Sequence, residues 1–336
     1  MGKPSPSRHP EPNVRAFRTA LAKWFTTHGK DYPWRRTQDP WAVLVSEIML
    51  QQTTVASVIA NRRFELFLDE FPDLQSIAKA PEQKILKAWE GLGYYNRVRN
   101  LQKTAQELIK QYDGKFPADA KTLETLPGVG RYTAGAVSSF AFEQAAPIVD
   151  GNIARVISRL FDSALAIDST AGQKFLWEKA ARLLDPKSPR LFNSALMELG
   201  QTQCSPKSAA CESCPVRDFC QCSSPDSLPV KKPRRQFVPV DEHAFLHLKG
   251  NKILLAHGNA TRRKGFWHLP LREPEVCAHL EPVSTHRYTI THHRVTVHLY
   301  RNDPGNLLEG ESFQALGDLP DLPIASPIRK ILNQEL

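Results

Sequence analysis

Apolar residues recur every three or four positions from about Val14 to Leu199, which is the period of an amphipathic helix. The pair Asp39-Pro40 predicts an N-cap followed by proline at the first helical position, opening the segment WAVLVSEIMLQQ. The pattern predicts an all-α domain over residues 13–203. It is clearest in three runs: Val14, Phe17, Leu21, Trp24 and Phe25; Ile85, Leu86 and Trp89; and Val156, Ile157, Leu160 and Phe161.

The pattern changes after a stretch rich in Pro, Ser, Lys and Arg. Residues 243–256 predict two short strands around Gly250 and Asn251, and alternation at Val295, Val297 and Leu299 predicts a half-buried strand. We therefore predict a second, small α/β domain over residues 241–336. The remaining segments are predicted to be a disordered tail (1–12), a cysteine loop (204–222) and a basic linker (223–240) whose cations lie near phosphates.

The composition of the chain indicates which class of partner it could bind. The chain has 336 residues, 41% of them hydrophobic, and a formal net charge of +9, which suits a polyanionic ligand without proving one. No apolar run approaches the roughly 18 residues that a membrane helix needs, and residues 1–12 lack the apolar core of a secretory signal. We expect a soluble protein with no membrane partner, most simply cytoplasmic, with the nucleus and the mitochondrion as alternatives.

Four cysteines stand in the spacing C-x6-C-x2-C-x5-C, and Cys222 and Cys277 fall outside it. Four thiolates in so short a stretch can close around one soft metal centre, and an iron–sulfur cluster is the leading interpretation. A structural zinc site is less favoured because the gaps differ from paired C-x2-C knuckles, and a disulfide pair because no secretory segment is present. The four are Cys204, Cys211, Cys214 and Cys220.

Two carboxylates are candidates for chemistry. Glu47 has a nearly apolar stripe one helical turn away on either side, so burial would raise its pKa towards the range of a general acid; a surface Glu is the simpler alternative. Asp150 lies between an apolar stretch and the helix IARVISRLF, where backbone N–H groups keep a carboxylate ionised; an ordinary N-cap is the alternative. Two carboxyl groups whose environments push their pKa values apart in this way typically divide the work, with one acting as the acid and the other as the anion.

Two glycine-containing loops could contact DNA. Leu126-Pro127-Gly128-Val129-Gly130 lies between helical stretches and allows close backbone approach to a phosphate, although a generic helix–turn–helix connection explains it equally well. Gly91-Leu92-Gly93-Tyr94-Tyr95 could insert between stacked bases or form a packed loop.

The chain resembles the adenine-specific DNA glycosylases of MutY type, because five of its motifs occur in the same order as in that family. They are SEIMLQQT, GLGYYNRVRN, LPGVGRYTAGA, VDGNIARV and the cysteine spacing. These glycosylases belong to the helix–hairpin–helix superfamily that includes endonuclease III. The resemblance implies one [4Fe–4S] cluster on the four cysteines, a DNA-gripping hairpin over residues 122–138 that includes Gly128 and Gly130, and removal of adenine opposite 8-oxoguanine or guanine in double-stranded DNA. We also expect a monomer.

The resemblance also assigns roles. Glu47 matches the general acid that protonates adenine, and Asp150 the carboxylate that stabilises the oxocarbenium-like sugar. Tyr132 and Asn152 match residues that orient Asp150 and the attacking water. Because lyase-type relatives carry lysine at position 132, tyrosine there implies a monofunctional enzyme. Arg35 and Glu198 match family residues at the edge of the same pocket. Four more match family residues that fill the gap left by the adenine and contact the opposing purine: Gln52, Thr53, Leu92 and Tyr94.

The second domain resembles the family's Nudix-like 8-oxoguanine-recognition module. Thr291 and His292 stand where a Phe-Ser-His motif would contact the damaged base, but Ile290 replaces the aromatic residue. No Nudix hydrolase motif is present, so nucleotide hydrolysis is not expected. Two alternatives are a thymine–guanine mismatch glycosylase, against which Glu47 argues, and a non-catalytic iron–sulfur DNA-binding protein, against which the combination of Glu47, Asp150 and Tyr132 argues.

Overall fold

A computed structural model describes residues 12–233, 236–259 and 263–336. It divides into two compact units. Of the described residues, the helical unit comprises those up to Gln75 together with Asn100–Pro233, and the sheet unit comprises Ser76–Arg99 with those from 236 to 336. The predicted tail lies almost entirely outside the described residues, as do Arg234 and Arg235 of the predicted basic run.

The helices confirm the predicted all-α character of residues 13–203. Short 3₁₀ turns occur at Pro33–Arg35, Arg217–Phe219, Pro225–Ser227 and Leu316–Asp318. In chain order the described α-helices are α1 (Val14–His28), α2 (Pro40–Met49), α3 (Val55–Ala60), α4 (Arg63–Glu70), α5 (Leu74–Lys79), α6 (Glu82–Ala88), α7 (Asn96–Tyr112), α8 (Ala120–Leu123), α9 (Arg131–Phe142), α10 (Gly151–Leu160), α11 (Thr170–Leu183), α12 (Pro189–Thr202), α13 (Pro274–Cys277) and α14 (Ser326–Glu335).

Helix α2 lies in the core of the helical unit. The Asp39 side chain accepts hydrogen bonds from the backbone N–H groups of Trp41 and Ala42, which confirms the predicted N-cap. Every residue from Trp41 to Met49 is buried. Burial of its large apolar side chains, at about 1.5–3 kcal/mol each, holds the one carboxylate of this helix out of water.

The sheet unit contains two four-stranded sheets. One has the order β5-β1-β7-β6, with β1 and β7 parallel; in the other, β3 pairs with β2, β4 and β8. Apolar side chains from both sheets and from α14 form one core. The strands are β1 (Val238–Phe245), β2 (Leu248–Lys249), β3 (Lys252–His257), β4 (Trp267–His268), β5 (Leu271–Arg272), β6 (Ser284–Ile290), β7 (His293–Tyr300) and β8 (Glu311–Ala315).

The predicted strands are confirmed in part. Strands β2 and β3 pair around Gly250 as expected, and β7 contains the alternating valines, whereas residues 243–245 belong to the preceding strand β1. Because β1 begins at Val238, it also takes the last three residues of the predicted linker.

The segment Ser76–Arg99 lies in the sheet unit and not with the other helices. The Tyr95 ring packs on Phe266 with centroids 4.2 Å apart, and Arg329 Nε donates to Glu90 Oε1 at 2.7 Å. This differs from the predicted boundary at residue 241. Helical periodicity reveals that a segment is helical, but it does not reveal which distant residues cover its apolar face.

Part of the predicted linker is held against the helical unit. The carbonyl of Leu228 accepts from Arg159 Nε at 3.1 Å, and that of Val230 accepts from the backbone N–H of Ile167 at 2.9 Å. The backbone N–H of Lys232 donates to Asp168 Oδ1 at 3.0 Å. Residues 228–232 are therefore a fixed strap and not a free tether. Among the described residues no helix is long and apolar enough to cross a membrane.

Candidate active site and cysteine loop

Glu47 is buried in the middle of α2, with 5% of its surface exposed. Burial raises the pKa of its carboxyl to about 7, the Tyr132 hydroxyl opposes this by hydrogen bonding, and the charge of Asp150 adds to the rise. The Tyr132 Oη atom donates to Glu47 Oε2 at 2.8 Å. The carboxyl is thus poised to hold a proton near neutral pH, as a general acid requires.

Asp150 caps helix α10 with both of its oxygens engaged. Oδ1 accepts from the backbone N–H of Ile153 at 2.7 Å, and Oδ2 accepts from Asn152 Nδ2 at 2.9 Å. The predicted N-cap is confirmed, and the expected contact between Asn152 and Asp150 is present. Donors on both oxygens hold the carboxyl group of Asp150 in a fixed orientation.

Tyr132 differs from its predicted place. Its hydroxyl was expected to orient Asp150, but it donates to Glu47 and lies 3.9 Å from the sulfur of Met197. Burial, and then the charge of Glu47, raise the pKa of this phenol well above its usual value, so it remains a donor. Position 132 lies in the first turn of α9, which packs against α2, and that packing brings the two side chains together.

Arg35 and Glu198 form an ion pair at 2.8 Å in which the Glu198 side chain is fully buried. The Arg35 guanidinium also lies over the rings of Tyr32, at 4.8 Å, and Phe25, at 5.3 Å. Glu198 Oε1 has no hydrogen-bond partner among the described residues. The pair was predicted at the pocket edge, and Arg35 does line the cavity beside Glu47.

That cavity is a small cleft whose wall contains residues that the sequence did not single out. Arg190, Ser194 and Met197 share one face of α12 at spacings of four and three residues, a pattern that was readable in the sequence around Glu198. Trp34 comes from a 3₁₀ turn that carries no such signal. The full lining is Trp34, Arg35, Val43, Ser46, Glu47, Leu50, Phe140, Arg190, Ser194 and Met197.

The loop between α8 and α9 places Gly128 and Gly130 in different roles. Gly128 has a φ of +73°, and a Cβ there would lie 2.5 Å from Cβ of Asn100. Gly130 is the N-cap of α9 and has open space around its Cα. Its exposed position leaves the first N–H groups of a twelve-residue helix accessible to an anion.

We expect Gly128→Ala to lower the free energy of unfolding by roughly 2 kcal/mol, because alanine is strained at positive φ and must displace Asn100. Gly130→Ala is the matched control, and its effect should stay below about 0.5 kcal/mol. Urea denaturation of the two variants measures both. Equal stability of the two proteins would contradict the backbone assignment at position 128.

The residues matched to the mismatch contact are not equally accessible. Gln52 and Tyr94 have positive φ values of 57° and 48°, and half of the Tyr94 side chain is exposed. Thr53 follows Gln52 and hydrogen-bonds back to the carbonyl of Gln51. Leu92, by contrast, is 5% exposed, so its predicted gap-filling contact with DNA is not available in this structure.

The predicted recognition residues of the sheet unit form a hairpin tip. Thr291 and His292 are the two exposed residues that connect β6 to β7, and Thr291 has a φ of +53°. Ile290 pairs with His293 at the base of this turn. Only helix α13, of four residues, lies between β5 and β6, which agrees with the absence of a Nudix hydrolase motif.

All six cysteines are described, and none of them forms a disulfide in this structure. Among the described residues, no three Cys, His, Asp or Glu side chains are grouped closely enough to hold a metal ion. Burial raises the pKa of the Cys214 thiol to about 11, and the charges of Cys204, Cys220 and Cys211 add to it. The four thiols therefore lie close enough to influence one another electrostatically.

Two buried arginines tie the loop to α10. Arg159 Nη1 donates to Cys204 Sγ at 3.3 Å and to the Ser205 carbonyl at 2.8 Å. Arg155 Nη2 donates to Asn152 Oδ1 at 2.9 Å, and its Nε donates to the Cys204 carbonyl at 2.7 Å. A continuous set of hydrogen bonds thus runs from the Asp150 carboxylate through Asn152 and Arg155 to the cysteine loop. Neither arginine was singled out in the sequence.

Comparison with known proteins decides the family. Residues 45–181 match the HhH-GPD superfamily of base excision DNA repair proteins. A solved structure described as a thermostable thymine-DNA glycosylase is 32% identical, with a TM-score of 0.57, over 62% of this chain and 95% of that one. The chain belongs to the HhH-GPD superfamily. An endonuclease III–DNA complex, 24% identical with a TM-score of 0.52, shares the fold of this HhH-GPD protein.

Several adenine DNA glycosylases are also similar to this chain. The human one is 43% identical over 217 residues, which is 62% of this chain and 39% of the human protein. That of Buchnera aphidicola subsp. Baizongia pistaciae (strain Bp) is 34% identical over 237 residues, 69% of this chain and 66% of that protein. The MutY-type resemblance is confirmed. The HhH-GPD chain nevertheless spans less than half the length of the human relative.

Proposed function

We propose that this HhH-GPD protein is a monofunctional adenine DNA glycosylase that acts on adenine opposite 8-oxoguanine or guanine. The observation that carries the proposal is the buried Glu47 carboxyl, with its pKa raised to about 7 and its Oε2 held by Tyr132. A carboxyl in this state can donate a proton to a leaving base at neutral pH.

The mechanism divides the work between the two carboxylates. The adenine leaves the base stack and enters the cleft beside Glu47, whose proton goes to N7, so that the base departs neutral. Asp150, held by Asn152 and the α10 amide of Ile153, stabilises the positive charge that develops on the sugar until water adds. Position 132 carries a phenol and no amine, so no Schiff base forms there and the DNA strand remains uncleaved.

The partner we propose is double-stranded DNA. The helical unit offers the free N–H groups at the start of α9, next to Gly130, for one backbone phosphate, and the loop around Gln52 and Thr53 for the mismatch. The sheet unit offers the exposed ring of Tyr94 for stacking. Phosphate contacts of this kind position the duplex, while the cleft beside Glu47 selects the base.

The cysteine loop would hold one [4Fe–4S] cluster on Cys204, Cys211, Cys214 and Cys220. Thiolate donors in a loop closed by the two buried arginines fit such a group, and binding it would order residues 204–220. With all four positions taken by cysteine, the cluster offers no open site to a substrate. In this chain Arg159 and Arg155 transmit the order of the loop to α10 and hence to Asp150.

In the sheet unit we propose 8-oxoguanine recognition by the Nudix-like fold through Thr291 and His292 at the tip of the β6–β7 hairpin. We expect His292→Ala to reduce the preference for 8-oxoguanine over guanine by about tenfold, since one lost hydrogen bond costs about 1–1.5 kcal/mol. Single-turnover rates on the two duplexes measure this ratio. An equal loss on both substrates would contradict a recognition role.

A second candidate is a thymine–guanine mismatch glycosylase, favoured by the 32% identity to a thymine-DNA glycosylase over 95% of that chain. The deciding experiment is single-turnover base release from matched duplexes that carry adenine opposite 8-oxoguanine, adenine opposite guanine, or thymine opposite guanine. Adenine release fastest opposite 8-oxoguanine is the expected result. Thymine release without adenine release would overturn the proposal.

Tyr132→Phe tests the hydrogen bond between Tyr132 and Glu47. The Tyr132 hydroxyl hydrogen-bonds to the charged form of Glu47 and lowers its pKa, so its removal should raise that pKa further above 7. The alkaline limb of the pH–rate profile should then move up by about one pH unit. Rates of adenine release between pH 5 and pH 9 measure the limb, and a shift to lower pH would contradict the assignment.

A further inference from the structure

The sheet unit contains a cavity of about 430 Å³ between β6 and α14, away from the hairpin tip at Thr291. Its volume lies in the range of small-molecule sites, about 300–1,000 Å³. The residues that line the cavity indicate which ligand it could accept.

The lining of this cavity is cationic. It contains the side chains of Arg287 and Lys330, and no carboxylate. Neither Arg287 nor Lys330 forms an ion pair with a described residue. The nearby Glu335 already has other partners, because Oε1 accepts from Ser284 at 2.6 Å and lies 3.0 Å from His286 Nε2, and Oε2 accepts from Arg301 at 3.2 Å. Two unpaired cations facing one cavity favour an anion.

A smaller cavity shares part of this lining. Tyr288 and Pro327 line both cavities, and the smaller one adds Phe266, Trp267 and the ion pair of Glu242 with Arg263. Trp267 Nε1 is buried and has no hydrogen-bond partner among the described residues. An unmet indole donor beside aromatic faces suits a planar ring that carries an acceptor, since a buried donor without a partner costs about 1–3 kcal/mol.

We propose that the β6–α14 cavity binds a nucleotide. Its phosphate contacts Arg287 and Lys330, and its base stacks on Tyr288 towards the indole N–H of Trp267. Together the two cavities offer cations for a phosphate and aromatic side chains for a base. The ligand is either a free nucleotide or a nucleotide of a DNA strand. This second site does not depend on adenine excision.

The test titrates the full-length protein with dGMP and with deoxyguanosine, which lacks the phosphate. The Arg287→Ala/Lys330→Ala double variant is compared with Lys249→Ala/Lys252→Ala, which removes two exposed cations from strands β2 and β3 of the same unit. We expect the first variant to weaken dGMP binding at least about tenfold and the second less than about twofold, because the contact is local and not due to net charge. Thermal unfolding of both variants shows that they remain folded.

The same variants separate the two sources of the phosphate. If dGMP does not bind, a DNA strand is the ligand when the first variant alone reduces the slope of log affinity against log salt by about two, one for each lost phosphate contact. Deoxyguanosine binding as tightly as dGMP would overturn the proposal. So would dGMP and DNA binding that are both unchanged in the Arg287→Ala/Lys330→Ala variant.

Discussion

Glu47→Gln should slow single-turnover adenine release by about 10³-fold, which is within the range that positioned general acids contribute. Glutamine keeps the size and polarity of the side chain but has no proton to give. Affinity for the mismatched duplex should change by less than about twofold, because no phosphate contact is lost. Glu178→Gln, on the exposed face of α11, is the matched control and should retain full activity.

The same substitution has a stability signature. The folded-state pKa of Glu47 is raised from 4.5 to about 7, so the folded protein binds this proton more tightly than the unfolded chain does. The stability it contributes is fully present below pH 4.5, and it is lost as pH rises to about 7. Above pH 7 the glutamine variant should therefore gain roughly 1–3 kcal/mol relative to the native protein.

Urea denaturation at pH 5 and pH 8 measures this difference. A glutamine variant whose stability follows that of the native protein at both pH values would show that Glu47 is not the group with the raised pKa. A variant that still releases adenine at the native rate would remove Glu47 from the mechanism.

Arg159→Met should be the most destabilising of the proposed substitutions. The side chain is 2% exposed, and its guanidinium donates to the carbonyls of Ser205, Pro206 and Leu228 as well as to Cys204 Sγ. Removing it leaves three carbonyls of the loop and the strap without this donor. We expect a loss of about 3–5 kcal/mol.

The loop should then also lose the proposed iron–sulfur cluster. Iron and acid-labile sulfide per chain, together with the thermal midpoint, are the measurements. Arg217→Met, which lies in the same loop but is exposed, should keep both close to the native values. Full iron content in the Arg159→Met protein would show that the loop closes without this arginine.

The sequence predicts local features of this fold better than long-range ones. Asp39 caps α2 and Asp150 caps α10 because a cap needs only the residues that follow it. The contact of Tyr132 with Glu47 joins residues 85 positions apart, and it depends on how α9 packs against α2. The resemblance assigned Tyr132 a role in orienting Asp150 and the attacking water, but it did not predict the hydrogen bond to Glu47.

The sheet unit shows the same limit in another form. The alternation of apolar and polar residues predicted β7. Strands β4 and β5 have two residues each and are too short to show such a period. The parallel pairing of β1 with β7 also joins residues about fifty positions apart, which no local pattern encodes. Of the predicted site, the sequence identified Glu47 and Arg35 in the cleft and missed Trp34, whose 3₁₀ turn has no repeat.

The hairpin tip has a consequence for laboratory evolution. Thr291 is β-branched and has a φ of +53°, at the first position of a two-residue turn where glycine is normally favoured. A screen for heat resistance should select Thr291→Gly early, with a gain of about 1 kcal/mol. That gain would remove the hydroxyl proposed to face the lesion, so thermostable descendants should discriminate less between damaged and undamaged guanine.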